Sequence, residues 1–165
     1  MATGKSSGGS RSAKRQDPLT IFCFKLTIDD VLKGEAYFQS ISGIKYESEV
    51  ISYKEGGNNT STRQLVGPTK WPNLVLKKGF TGGNFALLRW REAWMSDDRS
   101  KGPQRVTGHV VQLGSRLDPI CEWKFKAGWP CVWEGPEYDA TRSELAIETL
   151  EIAHEGLIFK SFKPE

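Results

Sequence analysis

Apolar and polar residues alternate along most of this chain. Over residues 19–28, Phe22, Phe24, Leu26 and Ile28 fall on one side, and Cys23, Lys25 and Thr27 on the other. A period of two is the signature of a strand with one buried face. The same pattern predicts strands over 35–41 and 45–53, paired as a hairpin around Ser42 and Gly43. Residues 54–70 are polar and rich in Gly, Asn and Thr, and are expected to form one long loop. Loops of that length in a compact domain are usually functional or mobile. Further strands are predicted over 73–80, 105–113, 120–126 and 129–133, with a closing strand over 146–159 interrupted near Gly156. The period changes once. Leu87, Trp90 and Trp94 recur at helical spacing beside Ala86 and Ala93, after Asn84, whose side chain suits a helix N-cap. The sum is mainly β: a sandwich or barrel of about eight strands with one packed α-helix over 84–95.

Charge refines the domain picture. The chain of 165 residues carries a net charge of +3. Residues 1–16 hold Lys5, Arg11, Lys14 and Arg15 and no acid, so they account for +4. Residues 17–165 are left at −1. The expected organisation is therefore a flexible basic arm, 1–16, ahead of one β domain, 17–165. Low apolar content keeps the arm from offsetting its ordering entropy. A near-neutral body argues against a single-stranded nucleic-acid-binding barrel, which needs a basic groove with exposed aromatics. No apolar run approaches the roughly 20 residues of a membrane-spanning helix, and the N-terminus lacks the apolar stretch of a signal peptide. Cys23, Cys121 and Cys131 are odd in number and widely spaced, as free thiols in a reducing compartment would be.

Candidate chemistry is sparse. His109 and His154 stand on predicted strands without Cys or His at metal-binding spacing, and no Gly-x-Ser-x-Gly elbow occurs. Gly67-Pro68-Thr69-Lys70 lacks the Lys-Ser/Thr end of a phosphate loop. No catalytic residue, metal or cofactor is expected. Acids do cluster: residues 134–155 carry seven carboxylates against Arg142 alone. A glycosidase would need two of them held at a set gap in a cleft; repeated Glu on a strand reads instead as a solvated face. In the last strand Leu150, Ile152 and His154 share one side, while Thr149, Glu151, Ala153 and Glu155 share the other. Lys45, Glu47 and Glu49 alternate likewise against Tyr46 and Val50. Two strands with one wet, charged face suit the wall of a water-filled channel, and equally any one-sided sheet.

Several segments carry a family likeness in the same order. Residues 146–157, Ala-Ile-Glu-Thr-Leu-Glu-Ile-Ala-His-Glu-Gly-Leu, resemble the C-terminal signature of contractile injection system tube proteins, themselves similar to the tail tube proteins of contractile-tailed phages. Residues 38–43 (Phe-Gln-Ser-Ile-Ser-Gly), 53–58 (Tyr-Lys-Glu-Gly-Gly-Asn) and 74–79 (Leu-Val-Leu-Lys-Lys-Gly) resemble the family's early hairpin, its Gly-Gly-Asn loop and the strand before its helix. Trp129-Pro130 and Gly135-Pro136-Glu137 resemble its late strand and turn.

The resemblance implies a structural role. Homohexameric rings would stack into a hollow inner tube, driven through a target envelope by sheath contraction, each subunit adding strands to one inter-subunit β-barrel. About four strands from each of six copies, at ~4.8 Å spacing and ~40–45° tilt, make a backbone cylinder about 50 Å across. Lys45, Glu47, Glu49, Thr149, Glu151 and Glu155 are the candidate lumen-facing residues. The candidate ring-to-ring contact loop holds Glu55, Gly56, Gly57, Asn58, Asn59 and Arg63. Leu87, Trp90 and Trp94 are expected to pack the helix against the barrel. Implied partners are further copies of the chain, sheath subunits, baseplate and cap proteins, and protein cargo in the lumen. The implied location is the cytoplasm of a producing bacterium, within an injection particle that is released by lysis or held at a membrane. A baseplate or tube-initiator ring of the same machine is the alternative role. Proline at Ile152 is expected to abolish assembly by removing a ladder donor.

Overall fold

A computed structural model describes residues 23–29, 36–54, 56, 62–81, 85–95, 104–138, 141 and 144–162. The strands are β1 (Cys23–Ile28), β2 (Ala36–Phe38), β3 (Ser40–Ser42), β4 (Glu47–Tyr53), β5 (Arg63–Lys70), β6 (Leu74–Gly79), β7 (Val106–Leu113), β8 (Pro119–Glu134), β9 (Ile147–Ala153) and β10 (Leu157–Ser161), with one helix, α1 (Ala86–Ala93), between β6 and β7. All pairings are antiparallel, and the main sheet runs β2-β1-β7-β8-β9-β6-β3, with β10 also on β8. The architecture is the mainly β fold with one helix that the alternation predicts.

Two segments allow the sheet to curl. β8 pairs with β7 and β10 through its first half and with β9 through its second. Between the halves, Ala127 takes φ 51° and Gly128 follows. A Cβ on Gly108 or Gly128 would stand 2.2 or 2.3 Å from the Phe125 ring, so both glycines make room for that fully buried side chain. At the other end of the path, only Gln39 separates β2, which pairs with β1, from β3, which pairs with β6. The sheet thus rolls into two layers without closing into a barrel. Between the layers lie Leu26, Ile28, Phe38, Leu74, Leu76, Val110, Phe125, Leu150 and Ile152, all 2% exposed or less. Burying such aliphatic and aromatic side chains contributes about 1.5–3 kcal/mol each.

The structure corrects four expectations. Residues 35–41 do not form a hairpin with 45–53: β3 pairs with β6, and β4 pairs with β5. Gly43, at φ +86°, lies against the Asn73 carbonyl, where any Cβ would come within 1.9 Å. This close approach redirects the chain out of the body instead of turning it back on β3. Residues 54–70 are not one long loop, since 63–70 form β5. The separate strands at 120–126 and 129–133 are one bent strand. Glu148 is not on a solvated face but is 3% exposed, in the core.

Leu87 and Trp90 of α1 are buried. Trp94, at the C-cap, is half-buried and stacks on Trp129 at 5.4 Å between ring centroids. Asn84, proposed as the cap, lies outside the described residues; Phe85 holds the N-cap position with no side-chain hydrogen bond. The arm at 1–16 also lies outside them.

Candidate assembly surfaces

Three surfaces follow from this layout. The first is the outward face of the layer β8-β9-β6-β3. Register places Val132 opposite Glu151 and Glu134 opposite Thr149 on β8 and β9. On β6 and β3, Val75 meets Glu151 and Ser42, and Lys77 meets Thr149 and Ser40. Every one of these side chains is at least partly exposed. The face is therefore small, polar and mixed in charge. Glu155 lies just past β9, exposed, and ion-pairs with Arg105. At one end a groove of about 750 Å³ opens between Lys77, Glu134, Glu137, Tyr138, Glu144 and Thr149.

Behind that face, β6 and β9 hold a buried ion pair. Lys78 and Glu148 are directly opposite in the ladder, 8% and 3% exposed. Lys78 Nζ lies 3.0 Å from Glu148 Oε1, an ion-pair distance outside hydrogen-bonding geometry. Trp133 Nε1–H donates to Glu148 Oε2 at 3.0 Å, and Lys78 Nζ stands 6.0 Å over the Phe38 ring. Strand parity contained this pair: Glu148 shares its side with Leu150 and Ile152. A cluster of acids read only by count hides it.

The second surface is a pair of unpaired edges. β3 carries β6 on one side and no strand on the other among the described residues. The second half of β8 likewise carries β9 alone. These two edges terminate the same four-stranded layer. Unpaired N–H and C=O groups along a strand are a template for adding another strand.

The third surface is the β4–β5 hairpin, a separate two-stranded sheet. Val50 pairs with Val66 on one face and Ile51 with Leu65 on the other, beyond a bulge between Ser48 and Val50. All four are exposed: Val66 by 86%, Val50 by 61%, Leu65 by 51% and Ile51 by 46%. Lys45, Glu47 and Glu49 run along this hairpin, so the structure does not bring them to the wall that holds Thr149 and Glu151. Lys45 pairs with Glu47 at 2.7 Å, which holds the Glu47 carboxyl below the usual carboxylate range, and Lys70 pairs with Glu49 at 3.2 Å. Of the candidate contact loop, Gly56 and Arg63 are described and flank the hairpin tip, while Glu55, Gly57, Asn58 and Asn59 lie outside the described residues. Alternation missed β5 because Gly67 and Pro68 interrupt it.

His109 contacts Glu122 on an outer face, and no group of three or more His, Cys, Asp or Glu side chains among the described residues is placed to hold a metal. Cys121 and Cys131 are free thiols raised by burial. No described helix is long and apolar enough to cross a membrane.

No curated protein sequence matches the chain. Solved structures do. The anti-feeding prophage tube-terminating cap aligns with a TM-score of 0.77 at 19% identity, covering 93% of this chain and 97% of that one. A chain of an extracellular contractile injection system sheath–tube complex in the extended state aligns at 0.75 and 19% identity, covering 94% and 99%. Hcp1 from Flavobacterium johnsoniae aligns at 0.53 and 16% identity, covering 85% and 96%. At such identities these likenesses establish a shared fold. The family described as T4-like virus tail tube protein gp19 matches residues 20–158. With that match spanning most of its length, the chain belongs to the T4-like tail tube protein family, whose members are structural proteins of contractile tails and injection systems.

Proposed function

We propose that this protein is the repeating subunit of an inner tube, in which copies close into hexameric rings and the rings stack. The observation that carries this reading is the β4–β5 hairpin. An isolated two-stranded hairpin is marginal in water, and this one exposes apolar pairs on both faces. Exposed apolar surface of that kind marks an interaction site, and a second copy in the adjacent ring would cover it.

The unpaired edges supply the lateral bond. β3 of one copy pairing with the second half of β8 of the next would continue the layer β8-β9-β6-β3 around a ring. Four strands from each of six copies give the cylinder of about 50 Å. Its lining would be Ser40, Ser42, Val75, Lys77, Val132, Glu134, Thr149 and Glu151, with Glu155 at the rim. Such a wall offers nothing that binds tightly, and its acids disfavour nucleic acid, so protein is the favoured cargo. Arg89 and Glu92, exposed on α1, face away from the core and are available to a sheath subunit. A baseplate or cap ring is the second reading, since chains of a cap and of a baseplate share this fold.

Negative-stain microscopy of the purified protein separates these readings. Tubes of uniform width are expected from the wild type, and single rings or none from Val66→Asp. Rings that never stack in the wild type would favour the cap or baseplate role. A monodisperse monomer at high concentration would overturn both.

A further inference from the structure

His154 directly follows β9, where the hairpin returns to the body. The imidazole is 9% exposed and makes two hydrogen bonds. Its Nε2–H donates to the Pro72 carbonyl at 3.1 Å, and its Nδ1 accepts from the Gly156 N–H at 3.3 Å. Those two bonds require one protonation state, the neutral ring with its hydrogen on Nε2. Pro72 follows β5 by two residues. Its neighbour Trp71 lies 6.2 Å from the imidazole and 5.2 Å, edge-on, from Tyr46, which leads into β4. Tyr46 Oη–H reaches the Leu157 carbonyl at 3.4 Å. Both stems of the hairpin therefore converge on the β9–β10 junction, and His154 joins that junction to the returning stem.

From this geometry we infer that His154 is an acid-sensitive latch on the hairpin root. A proton on Nδ1 would face the Gly156 N–H, donor against donor, and would place a charge where water is excluded. Opening the root removes both penalties. Burial already holds the ring below its ordinary value of 6.5, against the bond to Pro72. Among the described residues, the neighbouring ionisable groups offer no compensation. Glu155 pairs with Arg105; Tyr46 is engaged with Leu157; the Lys126 backbone bonds Gly156 and Glu155; and the Cys131 thiol stays neutral in acid. Among the described residues, no carboxylate contacts the ring.

The sign follows from proton linkage. The open root binds the proton more tightly than the closed one, so opening grows as pH falls below 6.5 and levels off once the closed form also protonates. One proton allows at most about a tenfold rise in the opening constant per pH unit. The consequence for a tube rests on the hairpin's stacking role: acid would loosen the contact between rings.

The test is amide hydrogen exchange on dilute full-length subunits, corrected for intrinsic rate, with sedimentation of assembled tubes in parallel. Protection across residues 63–71 should fall by several-fold to tenfold from pH 6.5 to 5 in the wild type. It should stay flat in His154→Gln, which can make both bonds but cannot gain the proton. His109→Gln should behave as wild type. An equal fall in His154→Gln, or none in the wild type, overturns the latch. Should His154→Gln fail to fold, ring ¹⁵N shifts of the wild type decide. Protonation of His154 in step with lost protection supports the latch, and loss of protection while the ring remains neutral overturns it. If protection falls as expected while tubes stay intact, the latch stands and the stacking role of the hairpin fails.

Discussion

The rolled sheet and the β4–β5 hairpin are built from the same alternation and use it oppositely. In β9, Leu150 and Ile152 turn inward and are buried, while Thr149 and Glu151 turn to the other side. In the hairpin, Val50 and Val66 occupy one face, Ile51 and Leu65 the other, and both faces are open. The sheet buries its apolar residues within the chain; the hairpin leaves them exposed. Stability therefore resides in the first region, the stacking contact proposed above falls in the second, and substitutions should separate the two.

The largest effect is expected in the sheet. Ile152 is fully buried on β9, which lies between β8 and β6. Proline there removes a ladder donor, leaves a buried acceptor unpaired and replaces a core side chain, at a cost of about 3 kcal/mol or more. The structure thus alters the meaning of this substitution. At a central strand it should abolish the subunit fold, read as loss of the cooperative unfolding transition, and not merely a contact between copies.

Next comes the ion pair. Lys78→Met leaves the Glu148 carboxylate buried opposite an apolar side chain, and should cost about 3–5 kcal/mol in denaturant unfolding. Lys78→Met combined with Glu148→Leu should recover most of that loss, because two apolar partners leave no orphaned charge. A double variant as unstable as the single one would mean that the bond from Trp133 to Glu148 carries the effect.

The smallest effect on stability belongs to the hairpin. Val66 is 86% exposed, so Val66→Asp should shift unfolding by no more than about 0.5 kcal/mol. The same variant is expected to lose tubes. A large loss of subunit stability from Val66→Asp would erase the distinction between the two regions.

Particular elements show how far the sequence could be read. β1, β6, β7 and β9 follow from alternation because each buries one face within the chain, so the pattern and the structure share a cause. Leu87 and Trp90 likewise announce α1. The buried Glu148 was legible in parity but not in composition, since a carboxylate on a core face is the exception to the rule that parity expresses. β5 was not legible. Its apolar residues answer to β4 and to open surface, and Gly67 and Pro68 break the period.

From the sequence alone come the class of fold, the inward and outward sides of β1 and β9, the +4 carried by residues 1–16 against −1 in the rest, and the likeness to tube proteins. These depend on neighbours a few residues apart, or on order along the chain. Long-range pairing alone set that β3 joins β6 and not β4, that Pro119–Glu134 is one strand bent at Ala127, that Lys78 meets Glu148, and that Lys45, Glu47 and Glu49 stand at a hairpin in a sheet separate from β9. Each of these is a choice of partner between distant segments. Such choices are made by how whole faces fit together, such as Phe125 over two glycines or Gly43 against the Asn73 carbonyl, and a local period carries no record of them.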